Sequence, residues 1–164
     1  MKSILLVRHA KSSWETADTS DFDRSLNDRG KRDAPAMAKR LLARNVTIDA
    51  FVSSPAKRAK KTAELFAAEM HIDRKAILFI DELYLAAPPA FFAAIAAMDD
   101  KLRSLALFSH NPGITDFVNM LTTVHTDNMP TCGVFAVKVD ITSWKDFEKS
   151  NKEFWFYDYP KLES

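Results

Sequence analysis

The stretch Ile4-Leu5-Leu6-Val7-Arg8-His9 sets four consecutive apolar residues directly before an arginine and a histidine. An unbroken apolar run of that length has the pattern of a strand covered on both faces, as strands of parallel sheets are. The same pattern recurs at 50–52, 76–80 and 105–108, and each run reads as a buried strand. The stretches between them are amphipathic. Over 28–44, Ala34, Met37, Ala38, Leu41 and Leu42 keep helical spacing, with Asn27 placed to cap and Pro35 expected to kink the first turns. Over 55–70, Ala59, Ala63, Phe66 and Met70 share one face, Ser54 is placed to cap, and Pro55 takes the first helical position. An Ala-rich helix follows at 88–98, and another at 112–121 has Asn111 capping and Ile114, Phe117, Val118 and Leu121 facing inward.

Strand and helix thus alternate, which implies βαβ units with right-handed crossovers. The expected fold is α/β: a three-layer sandwich with a mostly parallel central sheet and helices on both faces. The last third differs, because 134–141 and 153–157 are rich in β-branched and aromatic residues and read as a closing pair of strands. At 164 residues the chain is expected to form a single domain spanning 1–164.

Composition narrows the function. Lys and Arg total 23 against 22 Asp and Glu, so the basic excess of a nucleic-acid binder is missing. Cys132 is the only cysteine, which excludes an intramolecular disulfide and any cysteine metal cluster and fits a reducing cytoplasm. No apolar run approaches the roughly 18 residues of a membrane span, and 4–7 is too short for a signal peptide, so a soluble, unprocessed protein is expected. With only 3 glycines, neither a dinucleotide fingerprint nor a Walker-type loop can be built.

Ligands of open parallel sheets bind beyond the carboxyl ends of the strands. There the first strand offers Arg8 and His9, the second Ser53 and Ser54 with Arg58 one turn into the next helix, and the fourth Ser109 and His110. Two planar guanidiniums suit the oxygens of a phosphate, and a neutral imidazole can attack phosphorus to form a phosphohistidine. The helix starts after Ser54 and Asn111 would add N–H groups at the same edge. No cofactor or metal is called for. Arg58 stands in the basic run Lys57, Arg58, Lys60, Lys61, but at about 100° per residue the lysines share the face opposite Ala59, Ala63 and Phe66. Arg58 falls on the flank with Thr62, within reach of the strand ends. His71 and His125 read as structural, and the aromatics 154–157 as one side of a half-buried strand.

Four blocks in order resemble the histidine phosphatase superfamily, which includes the phosphoglycerate mutases, and within it the short branch of phosphohistidine phosphatases related to SixA. The first is Leu6-Val7-Arg8-His9-Ala10, with Ser12 and Trp14. The second is Asp21-Phe22-Asp23-Arg24-Ser25-Leu26 through Gly30, followed by Arg32, Asp33 and Ala34. The third is Ser53, Ser54, Pro55, Arg58, Ala59, Thr62 and Ala63, and the fourth is Ser109-His110-Asn111-Pro112-Gly113. The resemblance implies His9 as nucleophile, Arg8 and Arg58 as phosphate binders, His110 as a donor completing the pocket, and Ser12 as a further substrate contact.

One departure stands out. Larger members carry a general-acid Glu two residues beyond a leucine after the third strand, and counting from Leu83 gives Leu85. Glu82 is the candidate acid nearby; Asp81, Asp21 and Asp23 read equally as loop carboxylates. A phosphoramidate of histidine can leave as neutral imidazole once its ring is protonated, whereas an alkoxide needs a proton. The missing acid therefore points to phosphohistidine, carried by a phosphorylated protein such as a histidine phosphotransfer domain. The alternatives are hydrolysis of small phosphate esters, or a non-catalytic phospholigand-binding regulator of the same fold. Neither nucleic acid nor membrane is an expected partner.

Overall fold

The computed structural model of the protein describes residues 1–14 and 18–162. Six strands form one sheet: β1 (Lys2–Arg8), β2 (Ala50–Ser53), β3 (Leu78–Phe79), β4 (Ser104–Ser109), β5 (Val134–Val139) and β6 (Lys152–Asp158), in the order β3-β2-β4-β1-β5-β6. The first four in that order run parallel, while β5 is antiparallel to β1 and β6 to β5. The α/β architecture and the closing antiparallel pair follow the expectation from sequence.

Alternation along β1 divides the interior. Leu5 and Val7 face one side, where Met37 and Leu41 of α1 (Asp28–Ala43) and Phe66 of α2 (Lys57–Glu69) join Phe51 and Phe108. Ile4 and Leu6 face the other, against Phe91 and Ile95 of α3 (Pro88–Ala96) and Ile114 and Phe117 of α4 (Gly113–Val118). Both faces of β1 are sealed, which accounts for its unbroken apolar run. The rings of Phe66 and Phe108 meet edge to face at 5.3 Å, and those of Phe91 and Phe117 stack at 4.8 Å.

Local departures have local causes. The run 76–80 yields only the two-residue β3, whose Leu78 and Phe79 are exposed, because this edge strand pairs with β2 alone and residues 74–76 are drawn into a 3-10 turn capped by Asp73. Asn27 caps α1 as expected, its Oδ1 accepting from the Gly30 N–H at 2.9 Å. The helix continues through Pro35, and Leu42 is exposed rather than inward. The Ser54 Oγ accepts from the Ala56 N–H, so α2 begins at Lys57, two residues later than Pro55. Asn111 does not cap α4; its Oδ1 accepts from the Thr115 hydroxyl, and the helix ends at Val118, beyond which the Asn119 side chain ties to Thr126.

Parallel alignment carries the polar strand ends to one edge. Arg8 is in register with Ser109, and Ser53 with Phe108. Gly113 holds the start of α4 against the segment after β3: a Cβ there would fall on the carbonyl oxygen of Ala86, a backbone atom that cannot step aside as a side chain can. Gly113→Ala is expected to cost about 1–3 kcal/mol as an overpacking change. Denaturant unfolding measures this, and an unchanged midpoint would show that the two segments are free to part.

Candidate active site

His9 leaves the end of β1 held on three sides. Its N–H donates to the Ser109 carbonyl at 3.1 Å, and the Cys132 N–H donates to the carbonyls of both Arg8 and His9 at 3.0 Å. The next residue, Ala10, donates its N–H to the Thr62 Oγ1 at 2.9 Å, while the Thr62 hydroxyl donates to the Arg58 carbonyl at 2.7 Å. Thr62 thus ties the loop after β1 to the helix that carries Arg58.

The His9 ring is held at both nitrogens. Its Nδ1 lies 2.7 Å from the Ala10 carbonyl oxygen, which can only accept, so Nδ1 carries the proton and Nε2 keeps its lone pair. The Arg58 Nε–H points to that nitrogen at 3.3 Å. Burial pushes the His9 pKa well below its ordinary 6.5, helped by the positive field of His110, Arg58 and Arg8 against the opposing pull of the Ala10 carbonyl. At neutral pH the ring is therefore an uncharged, oriented base.

His110 lies alongside, its ring centroid 5.2 Å from that of His9. Its Nε2 is 2.7 Å from the Ser54 Oγ. The Ser54 hydroxyl can donate its proton to Nε2, and in that tautomer Nδ1–H is a donor. Burial first, then Arg58, holds the His110 pKa down at about 3. The His110 Nδ1 and the Arg8 Nε are both buried without a hydrogen-bond partner among the described residues, although Arg8 Nη1 is held by the Met129 carbonyl at 2.8 Å. Buried polar atoms are nearly always paired, so two orphans in a cluster with two guanidiniums describe a receptor for an anion.

The chain matches the model of the histidine phosphatase superfamily (branch 1) over residues 4–83. The structure assigned as phosphohistidine phosphatase SixA from Agrobacterium tumefaciens superposes with a TM-score of 0.81 at 26% identity, covering 97% of this chain and 98% of that one. A protein histidine phosphatase SixA complexed with tungstate shares the fold at a TM-score of 0.81 and 23% identity, over 96% of this chain and 97% of the other. An uncharacterized protein of Mycobacterium tuberculosis is 29% identical over 152 residues, 87% of this chain and 92% of its own length. Residues 4–83 carry the pattern of the histidine phosphatase superfamily, and the chain as a whole is similar to the SixA phosphatases. It is a phosphatase with the SixA fold.

In this histidine phosphatase the four residues singled out at the strand ends, Arg8, His9, Arg58 and His110, come together. Arg58 is 2% exposed whereas Lys57, Lys60 and Lys61 are exposed, as the helical geometry required. Ser12 is buried, but its hydroxyl accepts from Arg24 Nη1 at 2.7 Å, so it serves a neighbouring arginine. Glu82 lies exposed in the 3-10 turn at Asp81–Leu83, and no hydrogen bond or ion pair joins it to the cluster. His71 and His125 are exposed. Among the described residues, no three His, Cys, Asp or Glu side chains gather in a way that could hold a metal ion.

The carboxylate that does reach the cluster is Asp21, a residue that sequence reasoning left among the loop carboxylates. Arg58 donates through Nη1 to the Asp21 carbonyl at 2.6 Å and through Nη2 to Asp21 Oδ2 at 3.0 Å. The Tyr84 hydroxyl donates to the same Oδ2 at 2.6 Å, and Arg24 Nε to Oδ1 at 3.2 Å. Partial burial opposes ionisation, but the bonds from Tyr84 and Arg58 and the charges of Arg58 and Arg24 prevail and hold the carboxyl at about 2. Burial and the same carboxylate raise the Tyr84 pKa. Tyr84 stands edge-on to the His110 ring at 5.5 Å, so one phenol touches both halves of the site. The signal for Asp21 lay in the second block, where Asp21 and Arg24 occur three residues apart.

Both histidines should stay neutral far into acid. A depressed pKa means that the proton comes off at lower pH, so an NMR titration of the free protein is expected to leave the His9 and His110 rings unchanged between about pH 8 and 5. A midpoint at or above the ordinary 6.5 for either ring would refute the neutral pair. By linkage the two rings favour folding above 6.5, and that contribution is lost as pH falls, for His110 down to about 3.

Proposed function

We propose that this phosphatase hydrolyses phosphohistidine in a phosphorylated protein, through a phosphoryl-enzyme intermediate on His9. The observation that carries the reading is the state of the His9 ring, with Nδ1 tied to Ala10 and the unprotonated Nε2 turned to the Arg58 guanidinium. Attack by Nε2 on phosphorus places the equatorial oxygens among Arg8, Arg58 and His110, whose donors meet the charge of the transition state. The positive charge formed on the His9 ring is met by the Ala10 carbonyl. Water then attacks the phosphorus of phospho-His9, the P–N bond breaks, its electron pair returns to Nε2, and the water's protons leave on phosphate. No step is routed through a metal.

Substrate class follows from proton supply. Asp21 is ionised at neutral pH, with its pKa at about 2, and Glu82 stands outside the cluster, so neither is an acid waiting beside the leaving group. A leaving group that departs without an external proton is favoured, and a protonated phosphohistidine ring is one. Such a substrate arises on signalling proteins, a histidine phosphotransfer domain among them.

Steady-state rates on a phosphohistidine protein and on a simple aryl phosphate test the reading. A higher kcat/KM on the former is expected, and equal values would remove the case for substrate class. His9→Ala should abolish turnover of both while the fold survives; retained turnover would end the covalent mechanism. Arg58→Ala should cost on the order of 10² to 10³ in rate, as loss of a transition-state donor does, and a loss under about threefold would exclude that role.

A further inference from the structure

We infer that Asp21 selects the substrate, its ionised carboxylate accepting a hydrogen bond from the ring N–H of the phosphorylated imidazole. The inference rests on the phosphohistidine reading above. One guanidinium links the two ends of the argument: Arg58 reaches His9 Nε2 through Nε and Asp21 Oδ2 through Nη2. The carboxylate is thereby held next to the attacking nitrogen, on a 3-10 turn at Asp21–Asp23 that Ser20 caps. A carboxylate offers about four lone-pair sites. Three take hydrogen bonds, two on Oδ2 from Arg58 and Tyr84 and one on Oδ1 from Arg24 Nε, and Arg24 Nη2 also lies 3.2 Å from Oδ1 as an ion-pair contact. Among the described residues Oδ1 takes no further hydrogen bond, and the side chain is 39% exposed, which leaves it room for an incoming donor.

The free site calls for a donor, and the substrate class supplies one. In a phosphohistidine one ring nitrogen bears the phosphoryl group and the other can bear a proton. Hydrogen bonding of that proton to an ionised carboxylate favours the protonated ring. When His9 Nε2 forms its bond to phosphorus, the scissile P–N bond breaks and its electron pair stays on the departing nitrogen. The proton on the far nitrogen remains, and the ring leaves as neutral imidazole. Positive charge passes from the substrate ring to the His9 ring, so no proton has to be delivered to the leaving atom. An aryl ester has no such N–H and develops negative charge on its leaving oxygen, which the same carboxylate repels.

A purely structural Asp21, serving only to hold Arg58, makes a different forecast, since loosening Arg58 would slow every substrate alike. The test compares kcat/KM on N-phosphoimidazole and on 4-nitrophenyl phosphate for the parent, Asp21→Asn and Asp21→Ala, with far-UV circular dichroism as the check that each variant has folded. The ratio of the two is expected to fall at least about tenfold in both variants. The parent's rate on N-phosphoimidazole should also persist between about pH 6 and 8, while that of the variants declines as the free substrate ring loses its proton. A ratio that falls less than tenfold in both variants, with the parent active on N-phosphoimidazole, overturns the role of Asp21 and leaves the phosphohistidine reading standing. A parent without activity on N-phosphoimidazole overturns that reading, and this inference with it.

Discussion

A guanidinium withdrawn from water is costly unless its charge and its donors are met, and Arg58 is 2% exposed. What meets it organises the site. The backbone carbonyl and carboxylate of Asp21 bring in the early loop, and His9 Nε2 brings in the end of β1. Asp21 in turn engages Tyr84 and Arg24, and Arg24 engages Ser12 and lies 3.5 Å from the centroid of the Trp14 ring. Segments far apart in the chain are thus positioned by one buried cation. The same charge helps keep His9 and His110 neutral, so a group suited to phosphate also holds the proposed nucleophile uncharged.

This explains which features could be read from sequence. β1 and β4 were legible because strands sealed on both faces are apolar throughout, and Arg58 because helical geometry alone separates its direction from that of Lys57, Lys60 and Lys61. The convergence of Arg8, His9, Arg58 and His110 followed from parallel strands ending at one edge. β3 was not legible to the same degree, since an edge strand is set by how many neighbours it finds rather than by its own apolar run. The start of α2 escaped because the Ser54 hydroxyl is committed to His110, a contact made between residues 54 and 110. Asp21 escaped for the same reason: its partner Tyr84 is 63 positions away, and nothing in the pattern around either residue announces the other.

Ser12, expected from the family pattern, and Glu82, expected from its place after the third strand, make their contacts away from the cluster. Ser12 follows His9 by three residues, yet its hydroxyl accepts from Arg24 and it bridges to Leu26, so it shapes the wall behind the site. Glu82 stands beside Leu83, which is buried and whose carbonyl accepts from the Ser109 hydroxyl at 2.7 Å; that contact turns the neighbouring carboxylate outward. Two positions on, Tyr84 points the other way, to Asp21.

Donor arithmetic decides whether Asp21 and a phosphoryl group can occupy the site together. A guanidinium has five N–H bonds. Arg58 uses its Nε–H toward His9 and one hydrogen on each terminal nitrogen toward Asp21, which leaves a second hydrogen on Nη1 and on Nη2. Arg8 spends one donor on Met129 and keeps its buried Nε–H, and His110 contributes Nδ1. An arriving phosphoryl group therefore finds donors on three residues without displacing the carboxylate. Asp21 neutralises part of the positive charge of Arg58, and the bonds that hold it are separate from the donors left for the proposed phosphoryl group.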